Sequence, residues 1–278
     1  MYREGVSRVK YQKYDNSKAS IPLYKYYGQF EYARSAIENK QIHFEKPDSY
    51  NDIFDSALKI TKQRLYTAKL GTFLKKEGLQ NFFSCLSEAE RSKMQEEHWS
   101  IGNIIDYICQ KDSTVTEDDL LDAINRVLFQ GRGFAQVSNE WISCFSEIYD
   151  SLLMWAYYAN NYAGVCIRFN PEKDSILQEN CKKVQYTNIF KDSSGFNYCY
   201  EKSIEWSHEQ EWRIVCSDMK EDEPWIETTA IDAIYLGIRM KQEEVQKFKE
   251  LARKYELKLY QMVVVNGMYK IEFKEMKL

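Results

Sequence analysis

Residues 141–169, WISCFSEIYDSLLMWAYYANNYAGVCIRF, read as strand, turn, helix, turn and strand. The first six residues alternate, with Ile142, Cys144 and Ser146 on one face and Trp141, Ser143 and Phe145 on the other. A turn follows, where Asp150 or Ser151 is placed to cap a helix. That helix compresses Leu152, Leu153, Met154, Trp155, Tyr157 and Tyr158 into about two turns. Asn160-Asn161 ends it, Gly164 follows, and Val165, Ile167 and Phe169 mark a second strand. Buried aromatics of this kind usually build a core, and the same unit is also fit to form one wall of a site.

Outward from this unit, the 278-residue chain has room for one large domain or two modest ones. It is 44% hydrophobic and 29% charged, an ordinary globular composition. The 38 basic and 42 acidic residues give a net charge of −4, which argues against general affinity for nucleic-acid phosphates. No apolar run reaches membrane-spanning length, and the polar start MYREGVSRVKYQKYD lacks a secretory apolar stretch, so a cytoplasmic protein with no membrane partner is expected. The seven cysteines form no C-x-x-C pair and read as reduced, mostly buried thiols. His43, His98 and His208 are scattered without ligand spacing, so no metal is expected.

Residues 1–20 look like a polar lead-in, and 21–278 like a single α+β domain. IPLYKYYG (21–28) reads as a strand, and FEYARSAIENK keeps helical spacing through Phe30, Ala33 and Ile37. QIHFEKP (41–47) reads as a strand stopped by Pro47. From about 57 to 134 the chain turns charged and helical, from TKQRLYTAKLGTFLKKEG to TEDDLLDAINRVLF, and reads as a helical insertion. Thr116 and Asp119 are spaced as a capping box. The strand-rich half then resumes with the opening unit, a PEKDSILQE helix, a KKVQYTNI strand, the AIDAIYLGI strand, an amphipathic helix facing Val245, Phe248, Leu251 and Ala252 inward, and two closing strands. Strands and helices mix without regular βαβ repetition, so the expected class is α+β, with mixed, mainly antiparallel sheets.

Three segments carry candidate chemistry. Read as a strand, EQEWR (209–213) points Glu209, Glu211 and Arg213 one way and Gln210 and Trp212 the other. Two neighbouring carboxylates push their pKa values apart, and an arginine holds one of them ionised, which suits steadying a developing cation. A surface ladder of ion pairs would have the same pattern. Trp155, Tyr157 and Tyr158 offer either a stacking surface for a flat ring or core packing. Tyr24, Lys25 and Tyr26 offer either polar tips for a nucleotide or an edge strand with Lys25 facing water. No P-loop and no G-x-S-x-G elbow occurs, and Gly131-Arg132-Gly133 lacks the third glycine of a dinucleotide fingerprint.

Taken together, LYKY (23–26), SYNDIFD (49–55), CFSE (144–147), DSLLMWAYYA (150–159), GVCIRF (164–169) and EWSHEQEWRIV (205–215) resemble bacterial domain-of-unknown-function family 2971. The layout also resembles the ADP-ribosyltransferase fold. That resemblance implies NAD as co-substrate in a cleft between two small sheets. It places Tyr24 or Tyr26, with Lys25 between them, at the first-strand position that grips NAD. Tyr157 or Tyr158, beside Trp155, takes the place near the nicotinamide, and Glu209 or Glu211 carries catalysis, with Arg213 orienting it or meeting a pyrophosphate oxygen. The family pattern often has His or Arg on the first strand, where this chain has Tyr-Lys-Tyr. The acceptor would be an unknown protein or nucleic acid. The rival is a non-enzymatic nucleotide- or protein-binding module in a bacterial stress or phage-response pathway. An enzyme needs Glu209 or Glu211 in a cleft beside aromatics, whereas a binding module can keep both on an open surface. A nuclease built on Asp48, Asp52 and Asp55 ranks last, since loop aspartates more often cap turns.

Overall fold

A computed structural model describes residues 10–11, 17–52, 54–56, 66, 85–130, 140–188, 197–217, 219–220, 222 and 224–278. The chain divides into two compact units. One comprises Met1–Lys46, Asn139–Asn188 and Tyr200–Leu278, and the other Pro47–Ser138 with Ile189–Cys199. The fold is α+β with a mixed, mostly antiparallel sheet.

The first unit is built on one large sheet. Its strands are β1 (Lys10–Tyr11), β2 (Leu23–Tyr27), β4 (Trp141–Ser146), β5 (Val165–Phe169), β6 (Lys182–Lys183), β9 (Glu211–Ser217), β11 (Ile231–Leu236), β12 (Lys258–Val264) and β13 (Ile271–Glu275). They run in the order β1-β9-β4-β2-β5-β11-β12-β13, and β6 also pairs with β9. All pairs are antiparallel except β11 with β12. Two short ribbons complete the unit: β3 (Gln41–His43) with β10 (Trp225–Glu227), and β7 (Gln185–Thr187) parallel to β8 (Glu201–Ser203). Where the transferase resemblance implies two small sheets, the strands form one nine-stranded sheet and two two-stranded ribbons.

Alternation sorts the two faces. Leu23, Tyr27, Phe145, Val165, Ile167, Phe169, Trp212, Ile214, Leu236 and Leu259 point to one side. There they meet α1 (Phe30–Asn39), through Ala33, Ala36 and Ile37, and α7 (Gln242–Lys254), through Val245, Phe248, Leu251 and Ala252. The Phe30 and Phe248 rings stack at 5.5 Å. The opposite face carries a second cluster around Tyr24, Trp155, Cys166, Tyr235 and Met262. Helix α5 (Leu152–Tyr158) contributes Trp155 to it, and Ser151 caps that helix by accepting from the Met154 amide.

Several boundaries differ from the sequence reading. KKVQYTNI splits at Val184 into β6 and β7, which serve different sheets. PEKDSILQE is a 3₁₀ turn followed by α6 (Ser175–Asn180), because Asp174 caps the helix by accepting from the Ile176 and Leu177 amides. The lead-in is partly structured, since β1 pairs with the end of β9. Strand β2 lies in the middle of the sheet between β4 and β5, which corrects the edge-strand alternative. Its Lys25 is partly buried and donates to the Ser143 hydroxyl at 3.0 Å and the Cys144 carbonyl at 3.2 Å, instead of facing water.

In the second unit, α2 (Glu88–Glu96), α3 (Ile101–Lys111) and α4 (Glu117–Gln130) follow one another. Ser87 and Glu90 form a capping box, and Thr116 and Asp119 bond reciprocally, as their spacing predicts. The TKQRLYTAKLGTFLKKEG segment, apart from Tyr66, and Gly131-Arg132-Gly133 lie outside the described residues, as does Ile53 of SYNDIFD. Among the described residues no helix is long and apolar enough to cross a membrane, and no cluster of His, Cys, Asp and Glu is arranged to hold a metal.

Candidate active site

On β9 the strand periodicity holds: Glu211 and Arg213 share a face, and Trp212, Ile214 and Cys216 join the core on the other. Arg213 donates Nε to Glu211 Oε1 at 2.7 Å and Nη2 to Oε2 at 2.9 Å. Glu209 corrects the expectation of a three-residue row. It is the last residue of a 3₁₀ segment, Ile204–Glu209, and Gln210 then adopts a left-handed conformation (φ 44°) before the strand begins. The kink still returns Glu209 beside Glu211, because Lys202 on β8 bridges them. Its ammonium lies 2.5 Å from Glu209 Oε2 and 3.2 Å from Glu211 Oε2. Tyr158 donates to the other Glu209 oxygen at 2.5 Å. Ser146 anchors the kink by donating its hydroxyl to the Glu209 carbonyl at 2.6 Å.

The β7–β8 ribbon supplies the lid of this cluster. Tyr186 and Lys202 are register partners, so their side chains stand together. The Tyr186 oxygen accepts the Glu211 amide at 2.9 Å, and Lys202 lies 5.1 Å from the centre of the Trp206 ring. Glu209 is 3% exposed, Glu211 4% and Arg213 fully buried. A charged set so deprived of water persists only because each charge faces an opposite one.

The two carboxyls are driven apart. Burial, reinforced by the charge of Glu211, raises the pKa of Glu209. Burial also pushes Glu211 upward, but Arg213 and then Lys202 outweigh it and hold Glu211 well below the usual carboxylate range. One carboxylate is thus a fixed negative charge, and its neighbour, between a phenol and an ammonium, is the one inclined to take up a proton.

The aromatic candidates separate. Tyr158 belongs to the cluster, and Tyr157 projects from α5 at 61% exposure. Trp155 is fully buried, donates its indole N–H to the Tyr149 carbonyl and packs edge-on to Tyr26 at 5.5 Å, so it is committed to the core. Tyr26 donates its hydroxyl to the Ile148 carbonyl, and Tyr24 packs among Tyr149 and Tyr235. Burial lowers the pKa of Lys25, whose amine meets a hydroxyl and a carbonyl. Tyr24, Lys25 and Trp155 are therefore not brought to the carboxylates by any direct bond. Lys202 and Tyr186 escaped the sequence reading: each sits on a strand of three residues, too short for alternation to reveal which face it serves.

Residues 154–214 match the profile of a protein family of unknown function (DUF2971). The matched segment contains Tyr158, Tyr186, Lys202, Glu209, Glu211 and Arg213, the whole of the charged cluster with its two phenols. No curated protein and no solved structure matches the chain. Over residues 154–214, less than a quarter of its length, the chain is similar to the family described as Protein of unknown function (DUF2971).

Proposed function

We propose that the chain is an NAD-dependent ADP-ribosyltransferase-like enzyme acting on a protein or nucleic-acid acceptor. The observation that carries the reading is the carboxyl pair with opposed proton affinities, one member of which is bonded to Tyr158. In the proposed reaction the bond between the ribose C1′ and the nicotinamide nitrogen breaks, and its electron pair leaves with nicotinamide. Positive charge grows on the ribose, as in glycoside cleavage. Glu209 accepts a hydrogen bond from the ribose 2′-hydroxyl and steadies that charge, while Glu211, held by Arg213 and Lys202, is a standing negative charge behind it. The acceptor's nucleophile then bonds to C1′ and gives its proton to Glu209, whose raised pKa makes it the better base. The exposed Tyr157 beside Tyr158 offers a ring face for the nicotinamide. Trp155 takes no direct part, being committed to the core.

A second reading rests on the burial itself. Glu209 and Glu211 are nearly closed to water, and both are fully engaged in bonds, as an internal brace of a non-enzymatic nucleotide- or protein-binding module would be. The test is to incubate the protein with labelled NAD and a cell lysate, and to follow nicotinamide release and label transfer. On the enzymatic reading Glu209→Gln slows release by ~10²-fold or more, with Glu211→Gln also impaired. Wild type that releases no nicotinamide and transfers no label ends that reading in favour of the brace.

A further inference from the structure

Cross-strand partners place their side chains on the same face of a sheet. From β9 outward, Glu211 pairs with Ser146, Ser146 with Tyr24, Tyr24 with Arg168, Arg168 with Ala233, and Ala233 with Lys258. These six residues form one row across the face opposite α1 and α7. At a spacing of about 4.8 Å per strand, Arg168 stands ~14 Å from Glu211 along that row.

Arg168 is under-used. Its Nε donates to Asp232 Oδ1 at 2.6 Å, and among the described residues its two Nη groups have no hydrogen-bond partner. The register shift between Ile231 and Ala233 is what lets Asp232 meet it, since a bulge re-aims a side chain. Lys173 shares the same carboxylate at 3.5 Å, so two cations divide one anion, and the exposed Lys258 adds a third positive charge along the row. Tyr24 is the cross-strand partner of Arg168, the Tyr235 ring lies 5.8 Å from that of Tyr24, and burial raises the pKa of both phenols against the opposing pull of the guanidinium. Tyr149 lies 5.0 Å from each of those rings, and Tyr260 stacks on Tyr235 at 4.8 Å, both partly open to solvent. A forked cation with free donors, phenolic hydroxyls and partly exposed aromatic rings is the chemistry that holds a phosphate next to a flat base.

We infer that Arg168, with the hydroxyls of Tyr24 and Tyr235 beside it, binds the phosphate group of a nucleotide whose base lies against Tyr149 and Tyr260. The site stands on the strand register and the free guanidinium donors; only the identification of that nucleotide with NAD rests on the transferase reading. The row would then carry one ligand from its phosphate end at Arg168 toward the carboxylates on β9.

The experiment is calorimetric titration of the full chain with ADP, adenosine and inorganic pyrophosphate. ADP is expected to bind, with adenosine and pyrophosphate each weaker. Arg168→Gln should weaken ADP by about tenfold or more, with Arg168→Lys recovering only part of the loss. Lys258→Gln, on an exposed side chain outside the Arg168–Asp232 pair, should weaken ADP and flatten its salt dependence with the fold intact. The assignment is overturned if wild type binds no ADP, if adenosine or pyrophosphate binds as tightly as ADP, or if Arg168→Lys and Lys258→Gln both keep wild-type affinity. Nicotinamide release separates the two ideas. Turnover with a wild-type KM in Arg168→Gln removes the phosphate site and leaves the transferase. Arg168-dependent ADP binding without any nicotinamide release does the reverse.

Discussion

Glu209 and Glu211 are two residues apart and are pulled in opposite directions, which sets a signature in pH. A carboxyl whose folded pKa is raised adds stability that is present below its unfolded value and lost as pH rises through the folded one. That is Glu209. A carboxyl whose folded pKa is depressed adds stability that is present above its unfolded value and lost as pH falls through the folded one, which is Glu211. Urea unfolding of wild type and of each glutamine variant, from pH about 2 to about 7, should therefore give opposite trends. The stability difference between wild type and Glu209→Gln shrinks as pH rises, and the difference for Glu211→Gln shrinks as pH falls. Parallel trends would contradict the opposed assignment. The Glu211–Arg213 pairing was legible in the sequence because two residues on a strand share a face. The meeting with Glu209 was legible only as an outcome, since it comes through a left-handed Gln210 and a lysine seven residues away that no local period exposes.

At the scale of elements, α5 and β5 are joined by an unusually tight reversal. Asn160, Asn161 and Tyr162 are all left-handed, with φ of 45°, 52° and 69°, and Gly164 follows. A Cβ on Gly164 would lie 2.3 Å from the Tyr27 carbonyl oxygen and 2.7 Å from the Ala159 carbonyl carbon, backbone atoms that cannot swing aside. Gly164→Ala is expected to cost ~1–3 kcal/mol or more, read as a lower denaturation midpoint; an unmoved midpoint would mean that β2 and β5 can part there at no cost. The Asn-Asn-x-x-Gly punctuation was readable beforehand because these residues tolerate positive φ. The helix it terminates was readable too, but its inward face was not. Met154 and Trp155 are buried, while Leu153 and Tyr157 are exposed, and a two-turn helix with apolar residues on every side carries no periodic signal to choose between them.

In the whole molecule, the large sheet is assembled from strands far apart in sequence. Strand β2 lies between β4 and β5, and its Lys25 bonds Ser143 across 118 residues. The α+β class was legible from the mixed order of elements, and the strand neighbours were not, because periodicity identifies a strand and is silent on its partners. Refolding from denaturant is expected in the milliseconds-to-seconds range of non-local β topologies, and a microsecond phase carrying the full amplitude would argue against this strand order. On the ribosome the delay is longer. The tyrosine-rich β2 emerges before its neighbours exist, and at ~5–20 residues per second the wait for β4 is roughly 6–24 s. Throughout that interval an aromatic strand with both edges unsatisfied is open to mispairing, a hazard that falls on this segment more than on any strand made after its neighbours.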